Sequence, residues 1–401
     1  MKPLELGVVW LLIAGIFASG LLIGPAGPAR ASAPRAVEPA RATPEAGLDR
    51  VIAAPAAQGD QRRPSSGAGP GGAPRALRVC PPGDARPDCG HRSLQEAVAA
   101  ASPGDHVVLS PGIYEEGAIV TTPGLVVRGE PGAHLRGRAV EGKAALIIKA
   151  DGVVIEGIEC SGIAVRDHNG ACIRIEGDDL TVRNVNFHDN QQGILSGPGG
   201  GALLVEDSRF ERNGFGGLAH GVYIGPSVET FTFRNNHVLA TTGEGHGVKS
   251  RAQRTVVENN VIAGLDGRDS RAIDVPNGGE VLIRGNVLEK GPNSANAQMI
   301  GLALEGQLHE TNATLIENNL IVFDTRPEGL IQDLARTVGL LPARGVVIAS
   351  QSPGAVVLQD NTIVGAREIG GGDLNDRDNR TYESRRAAGL SPYPAVPQAV
   401  P

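Results

Sequence analysis

Residues 254–264 read RTVVENNVIAG: alternating apolar residues, two asparagines, then a second short apolar run. The same pattern returns as LTVRNVNF (180–187), LLVEDSRF (203–210), FTFRNNHV (231–238), VLIRGNVL (281–288), TLIENNLI (314–321) and VVLQDNTI (356–363). Aligned on the later asparagine, the positions are Asn236, Asn260, Asn286, Asn319 and Asn361. The first two steps are 24 and 26 residues, and the later steps of 33 and 42 imply loops inserted into similar turns. A period in this range with β-branched alternation and frequent glycine signals a solenoid, whose units bury their apolar face only by stacking. Asparagines stacked at an inward bend can donate to and accept from one another across coils, so they are read as structural.

A second series precedes each of these strands: ACIRI, QGILS, HGVYI, HGVKS, RAIDV and IGLAL. Its apolar centres align as Ile173, Ile194, Val222, Val248, Ile273 and Leu302. Upstream, SLQEAVAAASPGDHVVLSPGIYEE (93–116) reads as a helix over Ser93 to Ala101 followed by a first strand. A helix there would cover the open end of the stack, where backbone groups are otherwise unpaired.

With its leading helix, GDHVVLSPGIYEE segment, asparagine ladder and coil length, the chain resembles the pectate-lyase-like right-handed parallel β-helix family over roughly residues 78 to 366. The resemblance implies an all-β, right-handed parallel β-helix solenoid with an N-terminal capping helix. It also implies that sites lie on the strand series reached just before the asparagine-bearing strand, which here is the HGV series. That family includes lyases, hydrolases, epimerases and non-catalytic adhesins, so fold does not fix function.

Composition narrows the rest. The 401 residues include 56 glycines and only 3% aromatics, which fits narrow Val/Ile/Leu cores. A formal charge of −7 gives no general attraction to nucleic acid or anionic membranes. The N-terminus carries 18 uncharged residues from Leu6 to Ile23, ahead of Ala29-Arg30-Ala31. Residues 1–31 are therefore read as a signal peptide or signal anchor. The chain is then exported: periplasmic, secreted, or anchored at the outer side of the inner membrane, with no other membrane contact.

Residues 32–76 read as a disordered Pro/Ala/Gly linker, 77–366 as the β-helix, and 367–401 as an irregular tail. Within 322–345 the apolar spacing of Leu330, Ile331, Leu334 and Val338 predicts a short inserted helix. In an exported chain, Cys80 with Cys89 and Cys160 with Cys172 are read as two local disulfides, the alternative being four buried thiols. No Cys-x-x-Cys or neighbouring histidine pair argues for zinc. No metal ligands or cofactor are predicted; Asp274 and Glu305 alone look insufficient for calcium, which stays an open alternative that is not predicted.

One residue past the buried centres of the second series come Arg174, Leu195, Tyr223, Lys249, Asp274 and Ala303. Strand alternation points this column outward, so Tyr223, Lys249 and Asp274 are expected as an exposed triplet. It is flanked by His220 and His246, with Arg251, Asn277 and Glu305 bordering it. The resemblance implies an acidic polysaccharide as partner; the chain is expected to be a monomer.

β-Elimination at a uronate, or epimerisation of its C5, needs a cation for the carboxylate, a base for C5 and an acid for the leaving oxygen. Lys249 and Arg251 suit the first, His220 or His246 the second through a pKa near working pH, and Tyr223 the third. Asp274, Asn277 and Glu305 complete the binding surface. The alternatives are a non-catalytic glycan-binding or adhesin-like surface module, and a glycoside hydrolase using Asp274 and Glu305.

Overall fold

The architecture is taken from a computed structural model that describes residues 73–84, 86–324, 345–371 and 373–397. Each complete coil adds one strand to each of three parallel sheets, which count twelve, eleven and nine strands among the described residues. The coil that contains residues 254–264 shows how. Arg254–Glu258 joins the first sheet, Val261–Ala263 the second and Ile273–Val275 the third. Val257, Ile262 and Ile273 point inward and stack on Phe233, Val238 and Val248 of the preceding coil, in one continuous core.

Where a repeat carries two adjacent asparagines, they do different work. Asn259 sits in the left-handed region at φ 54°, and Asn235 and Asn318 match it at 56° and 55°. Asn, Asp and Gly tolerate that conformation best, which explains the residues found there. The following asparagine turns inward. Asn260 donates its backbone N–H (2.8 Å) and Nδ2 (2.9 Å) to Asn286 Oδ1, and Nδ2 also donates to the Phe233 carbonyl at 2.8 Å. The ladder runs through Asn236, Asn260, Asn286, Asn319 and Asn361 to Asn379.

Just before these turns lies an outer column of alternating sign: Glu156, Arg183, Glu206, Arg234, Glu258, Arg284 and Glu317. The members are mostly part-buried, and Glu258 is buried; a one-coil slip would set like charges side by side, so the column favours a single register.

The capping helix is Leu94–Ala100, with Ser93 as N-cap accepting the Glu96 N–H. Its Leu94, Ala97 and Val98 are fully buried in the core of the first coils. Cys80 pairs with Cys89, and Cys160 on the second sheet pairs with Cys172 on the third. The expected irregular tail from 367 is corrected: Leu374–Arg377 and Arg380–Tyr382 extend the first and second sheets by part of a coil. Alternating Leu374 and the ladder residue Asn379 supply the same signals as earlier coils.

The predicted helix within 322–345 falls mostly on 325–344, outside the described residues, as do the signal segment and almost all of the linker. No helix among the described residues is long and apolar enough to cross a membrane.

Candidate functional site on the third sheet

Tyr223, Lys249 and Asp274 are paired neighbours in successive strands of the third sheet, forming one column. The next member is Gly301, not Ala303: Ile273 pairs with Ile300, so the strand Gln298–Leu302 sits two residues from the sequence alignment. A shift of two keeps the face and changes the neighbour. A Cβ on Gly301 would lie 2.5 Å from Asp274 Oδ1 and 2.7 Å from Arg271 Cδ, so only glycine leaves room for that pair.

The column is not exposed as expected. Lys249 is 7% and Asp274 1% exposed, because neighbouring side chains fold over them. Lys249 Nζ donates to Glu305 Oε1 at 2.6 Å and lies 3.5 Å from Asp274 Oδ2. Arg251 donates through Nε to the Tyr223 hydroxyl at 3.0 Å, and its other nitrogens reach Asn277 Oδ1 and Glu305 Oε2. Glu305 lies beyond its strand, on the turn that follows, and reaches back to cations two coils away. Its carboxylate bridges Lys249 and Arg251. Burial works against the charge, but the bonds from Lys249 and Arg251 prevail and hold this carboxyl down at about 2.

Asp274 is the converse case: burial outweighs Arg271 and Lys249 and raises its pKa. Its Oδ1 takes Arg271 Nη1 at 3.2 Å, whereas Oδ2 has no hydrogen-bond partner. His246 Nε2 stands 3.5 Å from that oxygen.

The histidines need the largest correction. They are buried, at 3% and 8% exposure, and their rings stack at 5.0 Å. His220 Nδ1 accepts the His246 backbone N–H, and His246 Nδ1 accepts the Arg271 N–H, each at 3.1 Å. Gln192 Oε1 accepts the His220 N–H in the same way at 3.3 Å. Gln192, His220 and His246 are thus a second side-chain ladder, closing the turn into the third sheet as the asparagines close the turn into the second. The glycines after the histidines follow from the same stacking: a Cβ on Gly221 would meet the Gly247 carbonyl oxygen at 2.5 Å.

Burial, aided by the charge of Lys249, pushes His220 down to about 3. Burial, aided by His220 and Lys249, pushes His246 to about 2. Neither ring titrates near neutral pH. With Nδ1 engaged as an acceptor, the proton of each neutral ring sits on Nε2.

Sequence reasoning missed Arg271, which occupies the His246 position one coil on and carried a signal: both stand two residues before an aligned apolar centre. It also missed His309, whose Nε2 meets the Arg251 carbonyl at 2.9 Å. No spacing marked the buried group behind His246, where fully buried Lys290 pairs with Asp269 at 2.8 Å. There Glu289 is pushed up to about 8 by burial.

Three stacked parallel sheets and an inward asparagine ladder decide the fold. The chain is a right-handed parallel β-helix protein. A family model described as a right handed beta helix region matches residues 124–299. Pectate lyase Pel9A superposes on the β-helix with a TM-score of 0.51 at 15% identity, over 76% of this chain and 79% of that one. An alginate lyase from Paenibacillus sp. str. FPU-7 gives 0.48 at 15% identity, over 75% and 99% of the two chains. The Streptococcus pneumoniae surface protein and adhesin PfbA gives 0.37 at 11%, over 72% and 92%. No curated protein matches the sequence. At these identities the likeness is one of fold.

Proposed function

We propose that this β-helix is a polysaccharide-processing enzyme, a lyase or C5-epimerase acting on a uronate-containing glycan through the Tyr223–Lys249–Arg251 surface. One observation carries the reading: a carboxylate, that of Glu305, already lies between Lys249 Nζ and the Arg251 guanidinium on the open side of the third sheet. A ligand carboxylate has the same charge and fork geometry and can take that place, since a bidentate guanidinium is selective for such groups.

With the imidazoles buried and neutral, the roles shift from those expected. Arg251 holds the uronate carboxylate and so stabilises charge developing next to C5. Lys249, uncovered when Glu305 moves aside, pairs with the same carboxylate, and the C5 proton acidified in this way passes to solvent water. Tyr223, whose oxygen accepts from Arg251 Nε, gives its O–H proton to the oxygen leaving C4. The C5–H and C4–O bonds break and a C4=C5 double bond forms. Returning a proton to the opposite face of C5, with C4–O intact, gives epimerisation instead. Hydrolysis fits less well, because Lys249 stands between Asp274 and Glu305 and occupies the place a water would need.

The test is incubation of the folded chain with a panel of uronate polymers in deuterated buffer. Unsaturated ends, seen by ultraviolet absorbance, mark a lyase. Deuterium at C5 without new ends marks an epimerase. Binding with neither product would overturn the enzymatic reading in favour of a glycan-binding surface.

A further inference from the structure

On the second sheet, well apart in the chain from the residues above, His134, Glu159 and His188 lie on three successive strands: Ala133–Arg136, Glu159–Ser161 and Asn186–His188. One ligand atom from each lies within 4.8 Å of the other two. We propose that these three side chains form a binding site for one borderline divalent cation of the zinc class, clamping three coils of the β-helix.

The spacing supports this. Glu159 Oε1 is 3.0 Å from His188 Nε2 and 3.7 Å from His134 Nδ1. Ligand atoms about 2.1 Å from a tetrahedral ion lie about 3.4 Å from one another, between those two values. Two imidazoles and one carboxylate suit zinc, cobalt, nickel or copper rather than calcium or magnesium, which prefer all-oxygen sets.

The outer nitrogens are oriented as such a site requires. His188 Nδ1 lies 2.7 Å from Asp189 Oδ2, and Asp189 is itself held by Arg212 at 2.7 Å. His134 Nε2 lies 2.7 Å from Ser161 Oγ. When these partners accept the ring protons, the inner lone pairs of both rings face the Glu159 carboxylate, an arrangement that a cation stabilises. The strand is also anchored, because Cys160, between Glu159 and Ser161, is bonded to Cys172. All three ligands are part-buried, with side chains 16%, 37% and 20% exposed, so an ion can enter.

The experiment uses the tag-free chain with its disulfides intact. Zinc is titrated by calorimetry, cobalt is followed by its visible absorption, and thermal midpoints are compared with and without zinc. The expected result is one zinc per chain, a cobalt spectrum of low-coordinate nitrogen/oxygen type, and a midpoint raised by zinc but not by calcium. His134→Ala, His188→Ala and the near-isosteric Glu159→Gln should each weaken binding at least tenfold and abolish the zinc-dependent shift. Asp189→Asn should weaken it about 10- to 100-fold. His220→Asn with His246→Asn should leave zinc affinity unchanged. Failure of the native chain to bind zinc, or equal binding by native and Glu159→Gln chains, overturns the proposal.

Discussion

Acid should unfold this β-helix through His220 and His246. In the folded chain the two rings stay neutral down to about 3 and about 2, whereas in the unfolded chain they gain protons below 6.5. Between those values the unfolded state binds more protons, so stability rises with pH and is lost as pH falls from 6.5 toward 3. At pH about 4 the unfolded rings lie some 2.5 units below their midpoint. That corresponds to about 3 to 4 kcal/mol per ring, or about 7 kcal/mol for the pair. A loss of this size is a large part of a domain's net stability.

The double variant His220→Asn/His246→Asn isolates the effect. An asparagine Oδ1 can accept the same backbone N–H, as it does throughout the other ladder, and it does not titrate. Urea unfolding followed by circular dichroism at pH about 7, 6, 5 and 4 gives a stability curve for each protein. Carboxylates and other shared groups cancel in the difference between the curves. The native chain should lose stability relative to the variant progressively below pH about 6.5. Parallel curves would refute the argument and mean that the rings are solvated in solution.

Three further outcomes follow from the same contacts. Lys249→Ala should both end turnover and destabilise the domain by about 3 kcal/mol or more, since it leaves buried Asp274 without its lysine; Lys249→Ala/Asp274→Asn should recover much of that stability without activity, which thermal midpoints and product assays check together. Glu305→Gln should lower KM for a uronate polymer, because a neutral amide competes less well for Lys249 and Arg251, and an increased KM would show that Glu305 organises the site instead. Asn286→Ala removes the acceptor of two buried donors on Asn260; it should cost about 1–3 kcal/mol per orphaned group in urea unfolding, with little change in substrate affinity.

The repeat is legible in the amino-acid order alone. The NN turns, the inward Val248 and Ile273 and the adjacency of Tyr223, Lys249 and Asp274 follow from strand alternation and a coil period. Both are properties of local chain geometry. The alternating Glu/Arg column was equally present in the letters before each turn.

Three things were decided only by tertiary structure. The strand Gln298–Leu302 of the third sheet shifted by two residues, because the room left by Gly301 is defined by Arg271 and Asp274 in the coil before it. Glu305 reached back across two coils from a turn, where no periodicity governs direction. His220 and His246 became neutral ladder members rather than titrating bases, because a pKa depends on burial and nearby charge. Those are set by which loops and side chains close over the sheet, and that closure is a long-range property absent from any local pattern.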